Sequence, residues 1–205
     1  HRDLHSFPTR RSSDLTAVSA QGASIASTLT RSGVQWLEAA NGSRLVENDG
    51  TLLRVTRTGA GADGQVVLRL DGAQAKGDIV DGGPAASSQS AGTYVSVING
   101  AHYEGGVHGI RSLHVVGATA QLTGGRIEQG EPVVGGDPLH AEQGAQVTAS
   151  GPLDIAVSGS GAPGEGPAVG VRADTGASIV LQGGSVSMTG ASNARGVLAT
   201  SGGAI

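Results

Sequence analysis

The stretch that decides the fold is Gly117-Ala118-Thr119-Ala120-Gln121-Leu122-Thr123-Gly124-Gly125-Arg126-Ile127, because it recurs further along the chain. It aligns without gaps on Gly176-Ala177-Ser178-Ile179-Val180-Leu181-Gln182-Gly183-Gly184-Ser185-Val186. Shorter copies begin at Gly144 and Gly202, so the unit returns at similar intervals from Gly117 to the end of the chain. Repeats of this length are typical of proteins built by stacking similar structural units.

Each unit predicts short β-strands rather than helices. Ser178–Leu181 and Ser185–Met188 are rich in strand-forming residues and are separated by Gly183-Gly184, and Val171–Ala173 forms a third, shorter piece. Stacked unit on unit, such pieces build long parallel sheets with about 4.8 Å between neighbouring strands. We therefore expect an all-β solenoid with Val, Ile and Leu pointing inward and Ser, Thr, Gln and Arg pointing outward. The best helix candidate, Val34–Ala40, suits a strand equally well.

The composition supports thin stacked layers and argues against several classes of protein. Gly contributes 36 of 205 residues, more than double the ordinary share of roughly 7%. Hydrophobic residues still reach 38%, so the chain is not a flexible Gly-rich linker. The net charge of -4 and the single Lys argue against a basic surface that would bind nucleic acid. Because Cys is absent, we expect neither disulfides nor a thiolate metal site, and no apolar run reaches the length of a membrane span.

The first fifteen residues differ from the rest of the chain. His1–Leu15 holds three of the Arg residues, two of the six His and the only Phe, and it looks like the translation of a common sequencing adapter. We expect residues 1–15 to be a non-native tail and residues 16–205 to be one β-solenoid fragment, incomplete at both ends. Its repeats are clearest over residues 109–205.

The repeats resemble the passenger domains of pertactin-like autotransporters, which are right-handed parallel β-helices. The resemblance is carried by Val66–Val80, by Gly100–Gly105 with the following Arg111–Val115, and by the Gly-Val-x-Ala and Gly-Ala-x-Ile-x-Leu-x-Gly-Gly pattern of Gly170–Gly184. The family often has Trp where Tyr103 stands. The resemblance implies a right-handed parallel β-helix at the bacterial cell surface, attached to the outer membrane or secreted. It also implies a C-terminal translocator barrel in the complete protein.

On this resemblance we expect a structural stalk that presents adhesive loops to host-cell or matrix ligands, with no catalytic centre and no cofactor. Two alternatives stay open. One is a β-helix carbohydrate-active hydrolase or lyase, which needs carboxylates from different repeats to converge. The other is a filamentous, haemagglutinin-like exoprotein that uses a separate transporter.

Three short motifs could carry binding but are better explained as turns or strands. Gly159–Gly164 matches the dinucleotide fingerprint, yet Gly166-Pro167 cannot begin the helix that this site needs. Thr58–Asp63 resembles one calcium-binding repeat standing alone. Lys76-Gly77-Asp78 is a candidate adhesive triplet, although it lies where a strand is expected rather than at a loop tip.

The titratable residues indicate no site by sequence alone. His102, His108 and His114 are evenly spaced, but Gly105, Gly106 and Gly109 are expected to interrupt a common strand, and no cluster of carboxylates accompanies them as ligands or outer partners. We therefore expect surface histidines and no metal site. A set of four aspartates is expected to be solvated at the surface, although a catalytic pair is conceivable: Asp63, Asp71, Asp78 and Asp81.

Overall fold

The computed structural model describes residues 17–21, 27–31, 35–40, 44–57, 65–81, 92–130, 137–158, 168–190 and 194–205, with side chains from Leu68 onward. The tail at residues 1–15, the fingerprint-like Gly159–Gly164 and the calcium-like Thr58–Asp63 all lie outside the described residues.

The described part of the chain consists of seventeen β-strands and contains no helix. The first nine are β1 (Ala17–Gln21), β2 (Ser27–Arg31), β3 (Gln35–Ala40), β4 (Arg44–Arg57), β5 (Gln65–Asp71), β6 (Gln74–Asp81), β7 (Gly92–Ile98), β8 (His102–Ile110) and β9 (Ser112–Val116). The other eight are β10 (Thr119–Gln129), β11 (Leu139–Glu142), β12 (Gln146–Ala149), β13 (Leu153–Ser158), β14 (Ala168–Ala173), β15 (Ser178–Leu181), β16 (Gly184–Thr189) and β17 (Ala194–Ala199). The helix candidate around Gln35 is thus strand β3, and none of these segments offers a helix able to cross a membrane.

The strands form two parallel sheets between which the chain alternates. The eight-stranded sheet has the order β1-β3-β5-β7-β9-β11-β14-β17. The nine-stranded sheet has the path β15-β12-β10-β8-β6-β4-β2, with β13 pairing β10 and β16. Each order is a linear path, so neither sheet closes on itself within the described strands. The term rung is used below for one turn of the chain, from one strand of the eight-stranded sheet to the next strand in that sheet. The predicted all-β, parallel architecture is confirmed at this level.

The pairing register confirms the sequence repeat. Thr119 pairs with Gln146, Gln146 with Ser178, and Ser178 forms an isolated bridge with Ala204. The four copies of the repeat begin at Gly117, Gly144, Gly176 and Gly202. Each of the four paired residues lies two positions after the first Gly of its own copy. Equivalent residues of successive repeats therefore lie side by side.

Stacked apolar columns from both sheets form one continuous core. In the eight-stranded sheet the register aligns five residues that are at most 2% exposed: Leu68, Val95, Leu113, Leu139 and Val171. The nine-stranded sheet contributes a matching buried column: Ala75, Tyr103, Ala120, Val147 and Ile179. Each fully buried Val, Leu or Ile stabilises the fold by about 1.5–3 kcal/mol. The predicted inward placement of Val, Ile and Leu is confirmed for these columns.

The pairing register of strand β10 shifts between Leu122 and Gly125, and its two halves pair with different strands of the next rung. The first half pairs with β12 and the second with β13. Gly125 has φ 126°, and a Cβ atom there would overlap the carbonyl oxygen of Val107. Only Gly permits both this backbone conformation and this close approach of β8.

The turn after each strand of the eight-stranded sheet from β5 onward contains a left-handed residue. Six aligned residues have left-handed φ angles between 51° and 61°, and we call them the turn column: Gly72, Asn99, Gly117, Gln143, Thr175 and Ser201. In three of these turns a left-handed Gly and then an Ala follow, and the Ala amide donates back across the turn, for example from Ala145 to the oxygen of Glu142 at 3.2 Å. Stacked turns also bond to each other, as Gly144 donates to Thr175 at 3.0 Å. Similar turns therefore stack in register along one edge of the molecule.

Candidate functional site

Two outward columns on the eight-stranded sheet bring polar residues of successive rungs together. One column aligns Arg69, Ser96, His114, His140 and Arg172. Two residues later on each strand, and therefore on the same face, lies a second column that contains Asp71 and Glu142. Asp174 follows β14 directly and continues this second column. Basic or imidazole side chains thus stand beside carboxylates along the sheet.

His114 and His140 form the centre of this arrangement. Their rings stack with centroids 4.6 Å apart and planes 7° from parallel. His114 Nε2 lies 3.0 Å from Oε1 of Glu142, and its Nδ1 lies 2.9 Å from the hydroxyl of Tyr94. One ligand atom from each of His114, His140 and Glu142 lies within 4.8 Å of the others. We call these three residues the His–His–Glu cluster; each is only partly exposed.

A second group of charges borders the cluster. His140 Nε2 lies 3.2 Å from Oδ2 of Asp174, which also accepts a 2.5 Å bond from Nε of Arg172. Thr200 donates to the other oxygen of Asp174. Arg172 Nη1 lies 3.6 Å from Oδ2 of Asp137, a residue only 6% exposed, and this oxygen accepts no hydrogen bond from the described residues. Two carboxylates, those of Asp137 and Asp174, thus lie beside one guanidinium, and a third, that of Glu142, lies beside His114.

The surroundings shift the pKa values of these groups in different directions. Burial lowers the pKa of His114, and the neighbouring His140 lowers it further, although Glu142 opposes both. Burial raises the pKa of Asp137 above its ordinary value, with Arg172 opposing. Burial alone would raise the pKa of Asp174, but hydrogen bonds from Thr200, Arg172 and His140 hold it below the ordinary value. Burial also raises the pKa of the Tyr94 hydroxyl.

The candidate adhesive triplet lies inside strand β6. Lys76 is exposed, and its Nζ makes a 2.9 Å ion pair with Oε1 of Glu104. The Gly77 carbonyl oxygen accepts a bond from the hydroxyl of Tyr103 at 3.1 Å. Asp78 accepts a 2.6 Å bond from the Gly106 amide and lies 3.3 Å from Nε2 of His108. All three residues therefore bond to the neighbouring strand β8.

The histidines and aspartates are distributed differently from the prediction. The glycines do not interrupt β8, which carries both His102 and His108, because a parallel strand accommodates Gly with local register shifts. His114 lies in the other sheet, and the prediction that no cluster of carboxylates accompanies it was wrong, since Glu142 of the next rung lies beside it and Asp174 lies beside the neighbouring His140. Asp81 is not solvated: it is 8% exposed and accepts bonds from the amide and hydroxyl of Thr93.

Sequence reasoning missed His140 and Glu142, although a signal for them exists. Leu113-His114-Val115 and Leu139-His140-Ala141 have the same pattern, and the register aligns them. Aligning these two segments as equivalent positions of successive repeats would have placed the histidines side by side.

Comparisons of the chain with protein-family models, with curated proteins and with solved structures find no match.

Proposed function

We propose that residues 16–205 are part of a right-handed parallel β-helix that serves as the stalk of a bacterial surface passenger, similar to those of pertactin-like autotransporters. The turn column carries this proposal: six aligned turns with nearly equal φ angles are what a solenoid of stacked rungs requires. Parallel strands of one sheet joined by a crossover are right-handed in about 98% of cases, which favours the right-handed form.

The solenoid itself can be tested because the chain lacks Cys, so that introduced thiols are unique. Asn99 and Ser201 are four steps apart in the turn column, which places them about 19 Å apart at about 4.8 Å per rung. Spin labels on the pair Asn99→Cys and Ser201→Cys should report this separation, and labels on Gln143→Cys and Ser201→Cys about half of it. Distances that do not scale with the number of rungs would contradict the solenoid.

The stalk places loops away from the cell, where adhesion to host-cell or matrix ligands is expected. We propose fusing the full chain between a secretion signal and a translocator barrel in a Gram-negative host. Digestion of the chain by protease added to intact cells, together with adhesion of those cells to host-cell layers, is the expected result. The matched control is the same fusion carrying Gly125→Leu, which cannot stack β10 on β8. A chain retained inside the cell would contradict the surface role.

Lys76, Gly77 and Asp78 remain the proposed adhesive contacts within this function. If a receptor binds the triplet, Lys76→Ala and Asp78→Ala in the surface-displayed fusion should each reduce adhesion. Glu104→Ala is the control, because it removes the partner of Lys76 without altering the triplet. Unchanged adhesion in both triplet variants would assign adhesion to other surfaces.

A carbohydrate-active hydrolase or lyase is the second candidate, and one observation favours it. Asp137 and Asp174, which lie at the ends of adjacent strands of the eight-stranded sheet, both lie beside Arg172. Their pKa values are shifted in opposite directions, and such a pair of carboxylates is what glycoside hydrolysis needs. Release of reducing ends or of unsaturated uronic acids from a polysaccharide panel, abolished by Asp137→Asn, would favour this candidate over the stalk. The filamentous-exoprotein alternative shares the proposed fold and differs only in its transporter.

A further inference from the structure

The His–His–Glu cluster combines two imidazoles and one carboxylate from two adjacent rungs. This donor set suits Zn²⁺ and similar borderline transition metals, which bind imidazole nitrogen at about 2.0–2.1 Å and carboxylate oxygen at about 2.0–2.2 Å. Hard cations such as Ca²⁺ and Mg²⁺ instead prefer sites made of oxygen ligands alone. The three side chains are partly exposed, so an ion could reach them from solvent.

Both histidines already have partners for the ring nitrogen that a metal would leave protonated. His114 directs Nε2 toward Glu142, while its Nδ1 lies 2.9 Å from the Tyr94 hydroxyl, whose oxygen can accept a hydrogen bond from Nδ1–H. His140 Nε2 lies 3.2 Å from Asp174, which leaves Nδ1 as its ligand atom. Such outer partners fix the tautomer and orientation of metal-binding histidines in many sites.

The charges around the cluster also favour a divalent cation. Glu142, Asp174 and Asp137 outnumber the single guanidinium of Arg172, which Asp174 holds at 2.5 Å. Binding requires one rearrangement: ligand atoms up to 4.8 Å apart must close to the spacing that tetrahedral bonds of about 2 Å allow. The stacked rings must therefore move apart, which these partly exposed side chains can do by rotation about χ1 and χ2.

From this arrangement we infer that His114, His140 and Glu142 form a Zn²⁺ site that ties two neighbouring rungs together on the outer face of the eight-stranded sheet. Water completes the tetrahedron at the fourth position. The inference does not depend on the proposed surface role, because the site is defined by residues of two rungs alone.

The test is titration of the full chain with ZnCl₂ by calorimetry at neutral pH, in a background carrying His1→Gln and His5→Gln so that the terminal histidines do not compete. One equivalent of Zn²⁺ should bind. His114→Gln and Glu142→Gln should each weaken binding by about 100-fold or more, and Tyr94→Phe by about tenfold, as expected for ligands and for an outer partner. The matched control is His102→Gln on the other sheet, which should bind like the background chain.

X-ray absorption of the Zn²⁺-loaded chain provides a readout that does not depend on any variant folding. Two imidazoles and at least one oxygen in the first coordination sphere are expected, and circular dichroism of each variant checks that the fold is retained. Absence of binding, binding unchanged by His114→Gln, or a coordination sphere with one imidazole or none would overturn the inference.

Discussion

At the scale of single residues, Tyr103 shows how a polar group is accommodated in the thin core. Its side chain is 0% exposed, and its hydroxyl lies 2.7 Å from the carbonyl oxygen of Gly106 and 3.1 Å from that of Gly77. Burial raises its pKa well above the ordinary value, so the hydroxyl stays protonated and donates. The ring fills the core while the hydroxyl links β8 to β6.

Tyr103→Phe should lower the free energy of unfolding by about 1–2 kcal/mol, because it leaves a buried carbonyl oxygen without its donor. Chemical denaturation monitored by circular dichroism measures the change. Tyr94→Phe is the control, since its hydroxyl is at the partly exposed surface and bonds to a side chain rather than to the backbone. Equal effects of the two substitutions would show that the buried carbonyls are satisfied in another way.

Asp71 should make the fold sensitive to acid. Hydrogen bonds from Arg69 and Asn99 lower its pKa below the ordinary value of 3.8, so the unfolded chain takes up a proton at a higher pH than the folded chain. The stability that this carboxylate adds is complete well above pH 3.8 and is lost as the pH falls through the lowered folded pKa. The melting temperature should therefore fall less in Asp71→Asn than in the unaltered chain as the buffer is taken from near neutrality to below pH 3.8. A parallel fall in both proteins would contradict this prediction.

At the scale of strands and turns, two glycines with different surroundings should respond differently to the same substitution. Gly144 has φ 73° with nothing near its missing Cβ, so Gly144→Ala adds only backbone strain, about 1–2 kcal/mol. Gly125→Ala adds the same kind of strain and an overlap with the Val107 carbonyl, so it should cost about 3 kcal/mol or more. Thermal melts of the two variants measure the difference, and equal losses would mean that β8 and β10 can separate at little cost.

The strands were predictable where the rungs are long and alike. The copies from Gly117 onward share one spacing pattern, and their alignment predicts the observed register. Before that point the rungs vary more in length: the step from Val95 to its partner Leu113 spans much less of the chain than the step from Leu68 to its partner Val95. The later template does not fit these uneven rungs, so the register before residue 110 comes from the structure.

The His–His–Glu cluster was harder to predict than the strands for a physical reason. His114 and His140 lie a whole rung apart in sequence, and only the stacking of rungs brings them together. A search for closely spaced ligands along the chain cannot detect such a site, because its members come from separate strands. Conversely, the even spacing of His102, His108 and His114 suggested a group that the two sheets separate.

At the scale of the whole molecule, the apolar side chains that continue the core become exposed to solvent at strand β17. Val171 is 0% exposed, whereas its register partner Val197 is 52% exposed. Among the described strands, β17 pairs on one side only, with β14. An open parallel edge beside uncovered apolar side chains favours pairing with another chain.

We expect the chain to associate as its concentration rises, and Val197→Lys to reduce this association by placing a charge on the open face. Val180→Lys is the control, because Val180 is similarly exposed at 46% but lies next to the buried Ile179, on the opposite face of its strand. Sedimentation velocity over a range of concentrations measures the effect. A chain that stays monomeric throughout would show that this end is already protected.

The uniform turns have a consequence for how such a gene can change. Gln143 and Thr175 occupy equivalent places with φ angles of 55° and 51°, and each is followed by a Gly at 73° or 74°. Removing residues 144–175 would join Gln143 to Gly176, which creates the same local geometry one rung earlier. Recombination between two copies of the repeat can therefore lengthen or shorten the molecule by whole rungs while every junction stays compatible with its neighbours.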